Sequence, residues 1–130
     1  SPQYLATYGV PQTLADLQQH QLIHYASTLG TKSAGFEYVD SATDETCYVP
    51  MSGRITVNNS DAYEAACLAG LGIIQAPLHG MKQHLNNGLL VELLPQYKAE
   101  PMPVSLLYGN RRHLPKRVYV FMNWIAELLS

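Results

Sequence analysis

Residues 54–77, RITVNNSDAYEAACLAGLGIIQAP, read in order as strand, polar turn, helix, glycine stop and second strand. Ile55, Thr56 and Val57 are β-branched, and their stiff side chains suit a pleated strand. Asn58, Asn59 and Ser60 offer side-chain oxygens for a turn and an N-cap, and Asp61 follows where a helix dipole favours negative charge. Ala62, Ala65, Ala66 and Ala69 recur at helical spacing, which predicts a small-residue face lying close on a sheet. Gly70 and Gly72 can stop the helix, Ile73 and Ile74 open a buried strand, and Pro77 closes it. The stretch is one βαβ unit. Ligands of parallel α/β sheets sit at the carboxyl ends of strands beside helix N-termini, so Asn58, Asn59 and Ser60 are expected to face whatever is bound. The same residues would serve equally well as helix caps alone.

Working outward, residues 22–26 read as another buried strand. Tyr25 and Ser27 fall at its end, and Gln75 and Ala76 near the end of the strand opened by Ile73. All four are expected at the same edge as residues 58–60, as ligand contacts or, alternatively, as core and loop residues. Ser1, Pro2 and Gly9 bracket a short helix, and Thr13 to Asp16 is a capping pattern for a second one ending near Gln19. Short strands are expected at 36–39, 46–49 and 54–57, separated by polar turns that allow hairpins attached to the parallel sheet. Leu78, Met81 and Leu85 mark a further helix, and strands are expected at 89–94 and 104–108. From Pro115, the apolar positions Val118, Phe121, Met122, Ile125, Leu128 and Leu129 follow three- and four-residue steps, the clearest helix in the chain.

Composition bounds the function. With 130 residues, 47% of them hydrophobic and 14% charged, the chain can bury a core and is globular rather than disordered. No apolar run approaches the roughly 20 residues of a membrane helix, and Ser1-Pro2 reads as a helix start rather than a signal peptide. A net charge of −2 argues against a nucleic-acid surface within these residues. Arg111, Arg112, Lys116 and Arg117 form the one basic concentration, expected to be a solvated turn and helix start. Cys47 and Cys67, without a CxxC or Cys/His cluster, are expected as reduced thiols of a cytosolic protein.

Catalytic and metal motifs do not emerge. His20 and His24 are four apart but span a helix end and a strand, and His79 and His84, five apart, share a helix face poorly. No third ligand accompanies either pair, so no metal and no cofactor is expected. The G-x-S-x-G elbow, the P-loop and G-x-G-x-x-G are missing, and no Ser/His/Asp spacing suggests a triad. An enzyme is not expected.

The ordered set SPQYLATYGVPQTLADLQQHQLIHY, ITVNNSDAYEAACLAGLGIIQAP, NNGLLVELLPQY and YGNRRHLPKRVYVFMNWIAELL resembles the C-terminal part of the effector-binding domain of LysR-type transcriptional regulators. The matching pieces cover nearly all of the chain except residues 26–53. The resemblance implies an α/β, periplasmic-binding-protein-like (type 2) fold with a mixed sheet flanked by helices. Residues 1–102 would be mostly its second subdomain, and 103–130 the strand and helix returning to the first. It also implies a cytoplasmic homodimer or homotetramer that binds a small-molecule effector between subdomains and contacts DNA through a winged helix-turn-helix domain, with no membrane role. That domain and the opening strands of the first subdomain are not in this sequence, so the chain is expected to be a fragment of a longer protein or clipped from one. The apolar stripe of 115–129 would then lack part of its packing surface and recruit another chain. A periplasmic-type solute-binding protein for transport is the alternative with the same fold.

Overall fold

The computed structural model describes residues 1–28, 30, 31, 33–108 and 115–129. It divides into two compact units, Ser1–Glu100 and Pro101–Ser130.

The first unit is built on a small parallel sheet. Strand β1 (His24–Tyr25) pairs in parallel with β4 (Thr56–Val57), in register His24 with Thr56 and Tyr25 with Val57. Parallel bridges Gln21 to Ser52 and Leu22 to Ile73 extend the ladder and bring the Ile73 segment to the opposite side of β1. The hydrogen bonds Ile23 N–H to Ile73 O (2.9 Å) and Ala26 N–H to Val57 O (2.9 Å) show the 21–26 segment holding both neighbours. It is the central strand.

Side-chain alternation sends consecutive residues to opposite faces of this sheet. One face carries Ile23, Ile55, Val57 and Ile74, packed with Cys67 and Tyr63 of helix α2 (Ser60–Leu68) and Met81 and Leu85 of α3 (Leu78–Asn86). The other carries Ile73, packed with Tyr4 of α1 (Pro2–Tyr8), Leu17 of a 3-10 helix (Ala15–Gln19), Phe36 and Leu94. Leu17 and Ile23 are the fully buried anchors of the two sides. Truncating either to alanine is expected to cost about 2–5 kcal/mol.

The caps predicted from sequence explain where the helices start. Asn59 is the N-cap of α2, its side-chain oxygen accepting from Ala62 N–H at 2.9 Å. Ser1 caps α1, and Gly9 ends it at φ 82°. Between Thr13 and His20 the chain forms a 3-10 turn, with the Asp16 carboxylate accepting from the N–H groups of Gln12 (2.9 Å) and Thr13 (2.8 Å). Those two bonds hold the Asp16 carboxyl below its usual range.

Strands β2 (Phe36–Asp40) and β3 (Glu45–Val49) form an antiparallel hairpin, a sheet separate from the parallel one. Gly35 leads into it at φ 114°, where a side chain would collide with the Val49 carbonyl. Gln75 joins the two sheets. Its side-chain oxygen accepts from Glu37 N–H (2.7 Å), and its side-chain amide donates to Glu37 O (2.8 Å). The carboxamide thus acts as one extra strand residue along β2.

Three expectations need correcting. The buried face of α2 runs through Tyr63, Ala66 and Cys67, whereas Ala65 and Ala69 are exposed. The larger side chains offer more apolar area to bury, so the helix is turned by one residue from the alanine face. Residues 89–94 form no strand; Leu90 and Leu94 are buried in the two core clusters from irregular backbone, with Leu94 at φ 50°. Residues 104–108 also lie outside any strand or helix. Strand propensity is expressed only within a ladder, and the ladders of the described residues lie elsewhere.

In the second unit, α4 (Lys116–Leu129) follows Pro115 as the apolar spacing predicts. Val118, Met122 and Ile125 are half-buried, while Phe121, Trp124 and Leu128 are exposed. The phenyl ring of Phe121 leans on the Trp124 indole at 5.8 Å between centroids. No helix among the described residues is long and apolar enough to cross a membrane.

Candidate functional site

Because β1 and β4 run parallel, residues following Tyr25 and residues following Val57 emerge at the same sheet edge. A cavity of about 480 Å3 opens there within the first unit. Its walls are the end of β1 (Tyr25, Ala26, Ser27), the connection to the hairpin (Thr31, Ser33, Ala34), the cross-strand pair Glu37 and Tyr48, and Tyr63 with Gln75.

Several wall groups are locked by contacts of their own. Tyr25 meets Tyr63 edge-on, with ring centroids 5.4 Å apart. The Tyr63 hydroxyl accepts from Gln75 N–H at 3.0 Å, and burial pushes its pKa above the usual phenol value. The Glu37 carboxylate accepts from Glu100 N–H at 3.1 Å, and its proximity raises the Tyr48 pKa. Gly35 N–H donates to Ser33 Oγ at 3.2 Å. The arrangement is an aromatic and hydroxyl-lined recess with a single carboxylate. It can enclose part of a small organic molecule and orient it by hydrogen bonds.

Of the residues expected from sequence, Tyr25, Ser27 and Gln75 line this cavity. Asn58, Asn59 and Ser60 are exposed at the same sheet edge but are not in its wall, and Asn59 is engaged as the α2 cap. Ala76 is half-buried and also outside the wall. Glu37, Tyr48 and Tyr63 were not anticipated. The hairpin reading made Glu37 and Tyr48 findable, but only its register, Glu37 opposite Tyr48, puts them together.

The histidines are placed elsewhere. His20 is buried, its Nδ1 3.2 Å from the Tyr4 hydroxyl, which itself accepts from Gln21 N–H at 2.8 Å. Burial lowers the His20 pKa. His84 Nε2 lies 2.6 Å from Glu64 Oε1, tying α3 to α2. Among the described residues no group of His, Cys, Asp and Glu is arranged to hold a metal. Cys47 sits on β3 and Cys67 is buried in α2, both as free thiols, and burial raises the Cys67 pKa. Arg111 and Arg112 lie outside the described residues, while Lys116 and Arg117 begin α4. A shallow concavity along α4 is formed by that one helix and encloses nothing.

Comparison with known proteins decides the family. The model of the LysR substrate binding domain matches residues 1–130. The chain belongs to that family. This LysR substrate-binding domain is 42% identical over 130 residues to the uncharacterized HTH-type transcriptional regulator YhjC of Escherichia coli (strain K12), covering 100% of this chain and 43% of that protein. It is 32% identical over 124 residues to the HTH-type transcriptional activator AaeR of the same organism, covering 95% of this chain and 39% of AaeR. The chain therefore spans about two fifths of the length of these relatives. Among solved structures, the regulatory domain of AphB from Vibrio vulnificus superimposes with a TM-score of 0.72 at 28% identity, over 98% of this chain and 61% of that one. The CrgA regulatory domain from Neisseria meningitidis shares the fold, with a TM-score of 0.77 at 24% identity over 100% of this chain and 62% of that one. The fold is the α/β, periplasmic-binding-protein-like type 2 fold of LysR regulatory domains. The family and these relatives are transcriptional regulators rather than enzymes or transport proteins, so the solute-transport alternative is set aside.

Proposed function

We propose that these residues form the effector-sensing part of a cytoplasmic, DNA-binding LysR-type regulator that works as a homodimer or homotetramer. In this reading residues 1–102 are most of the second subdomain of the sensor, and 103–130 are the segment that returns to the first. A small organic effector binds at the edge where β1 and β4 end, with a first subdomain supplying the facing wall. DNA is contacted through a winged helix-turn-helix domain elsewhere in the full-length protein. The carrying observation is the preformed cavity at the carboxyl end of the parallel strands, with the α2 N-terminus beside it.

An effector shifts transcription only if it binds one arrangement of the subdomains more tightly than the other. Contacts at this edge then set the size of the response, not the basal affinity for DNA. The test uses the full-length protein, with alanine at Asn58, Asn59 and Ser60 in one set and at Tyr25, Ser27 and Tyr63 in a second. Reporter transcription is followed against candidate small acids and aromatics, and DNA binding by gel shift. The expected result is a weakened response with basal DNA binding retained. An unchanged response in every variant of both sets rules this edge out as the effector site.

A further inference from the structure

The cavity carries a negative charge with no cation against it among the described residues. Among its described wall residues Glu37 is the one charged side chain. Its carboxylate accepts from Glu100 N–H, a neutral donor, and lies on the residue paired across the hairpin with Tyr48. Glu100 brings a second carboxylate to this rim, accepting from Thr46 Oγ1 at 3.0 Å. Among the described residues the ion pairing is that of His84 with Glu64, on α3 and α2, and neither Glu37 nor Glu100 has a cationic partner. The rest of the wall is uncharged, with Tyr25, Tyr48 and Tyr63, the hydroxyl residues Ser27, Thr31 and Ser33, and apolar residues such as Leu22 and Ile23.

We infer that the ligand of this cavity is a small organic cation, an arylalkylammonium, and not a carboxylate. The inference rests on the cavity being the effector site. An ammonium group supplies the positive charge that Glu37 lacks, in a charge-assisted hydrogen bond. The electron-rich faces of the tyrosines attract a cation and also accept an aromatic body. Glu37 stands opposite Tyr48 with Glu100 beside it, so two carboxylates set a negative field at that point of the wall. A carboxylate would meet that same field and be repelled. The first turn of α2 would favour an anion, but residues 58–60 are outside the wall, and Asn59 already accepts from Ala62 N–H.

The test compares three probes with one ring and a two-carbon arm: 2-phenylethylammonium, 2-phenylethanol and phenylacetate. Each is titrated calorimetrically into the full-length natural protein and into its Glu37→Gln variant. Glutamine keeps an oxygen for Glu100 N–H and removes only the charge. The ammonium is expected to bind at least about tenfold more tightly than phenylacetate, with the preference lost in Glu37→Gln and the alcohol unaffected. The ligand class is overturned if phenylacetate binds as tightly as the ammonium, if the preference survives Glu37→Gln, or if no probe binds at millimolar concentration. A Ser27→Trp variant, with folding checked by circular dichroism, blocks the recess. Probe binding that survives it overturns the site itself, a result distinct from a wrong ligand class.

Discussion

Replacing Gln75 with leucine should uncouple the hairpin from the parallel sheet. The Gln75 carboxamide makes two bonds to the Glu37 backbone, at 2.7 and 2.8 Å, in a half-buried position. Each such bond contributes a net of about 1 kcal/mol, and leaving a buried backbone donor or acceptor unmet costs about 1–3 kcal/mol. Leucine is similar in size but meets neither group, and partial exposure lets water recover some of the loss, so about 2 kcal/mol is expected. The loss should be local. Amide exchange at Glu37 should quicken by about thirtyfold, the factor that 2 kcal/mol represents. Gln75→Glu separates bonding from packing. Its carboxylate still accepts from Glu37 N–H but faces Glu37 O with no proton to donate, so at neutral pH it should destabilise at least as much as leucine. Chemical denaturation of the full-length protein and hydrogen exchange measure both variants. A change below about 0.5 kcal/mol in Gln75→Leu, with Glu37 exchange unaltered, would refute the idea that this side chain joins the two sheets.

Other consequences follow from the same geometry. Gly35→Ala should destabilise by more than about 2 kcal/mol because it adds a collision with the Val49 carbonyl to a positive φ, whereas Gly88→Ala, at φ 70° with open space around it, should cost about 1 kcal/mol in the same thermal unfolding series. Asn59→Ala removes the α2 cap and should cost about 1 kcal/mol, with Asn59→Asp close to neutral, read by denaturant midpoints. His20 has a folded-state pKa below its ordinary value of 6.5, so the unfolded chain takes up more protons and stability should fall as pH drops through 6.5. His20→Gln should flatten that slope between pH 7 and 5 in denaturation curves.

The local rules in the sequence were enough for the βαβ unit, because each step is set by neighbours. The β-branched run at 55–57, the Asn59 cap and the positive-φ Gly70 are all short-range devices, and each is found where the spacing puts it. The orientation of α2 is not short-range. Four alanines at helical spacing show which face tolerates close approach, but Tyr63 and Cys67 decide which face is buried. Residues 89–94 mislead for a related reason. An apolar run reports burial, and Leu90 and Leu94 are buried, yet a strand also needs an edge to pair with. The strand-end side of the cavity was legible because parallel pairing places successive strand ends together. The hairpin side was not, because it depends on the docking of Gln75 onto Glu37, 38 positions away.

The contacts also re-sort the candidate ligand residues by what each polar atom is already doing. The Asn59 side-chain oxygen is held by Ala62 N–H, and both ends of the Gln75 carboxamide are held by Glu37. The Asn59 amide protons are left for a ligand, whereas a ligand that recruited the Gln75 carboxamide would compete with bonds that shape the site, so in the proposed reading Gln75 positions the edge and does not grip the effector. Ala76 has no polar side-chain atom to offer. Tyr63 differs from Gln75, since its hydroxyl accepts from Gln75 N–H and keeps a proton that it can donate to a ligand. Alanine at Gln75 should therefore alter effector response only as far as it alters stability. Phenylalanine at Tyr63 should weaken the response further than its stability change explains, and a response that tracks stability alone in both variants would place the effector elsewhere.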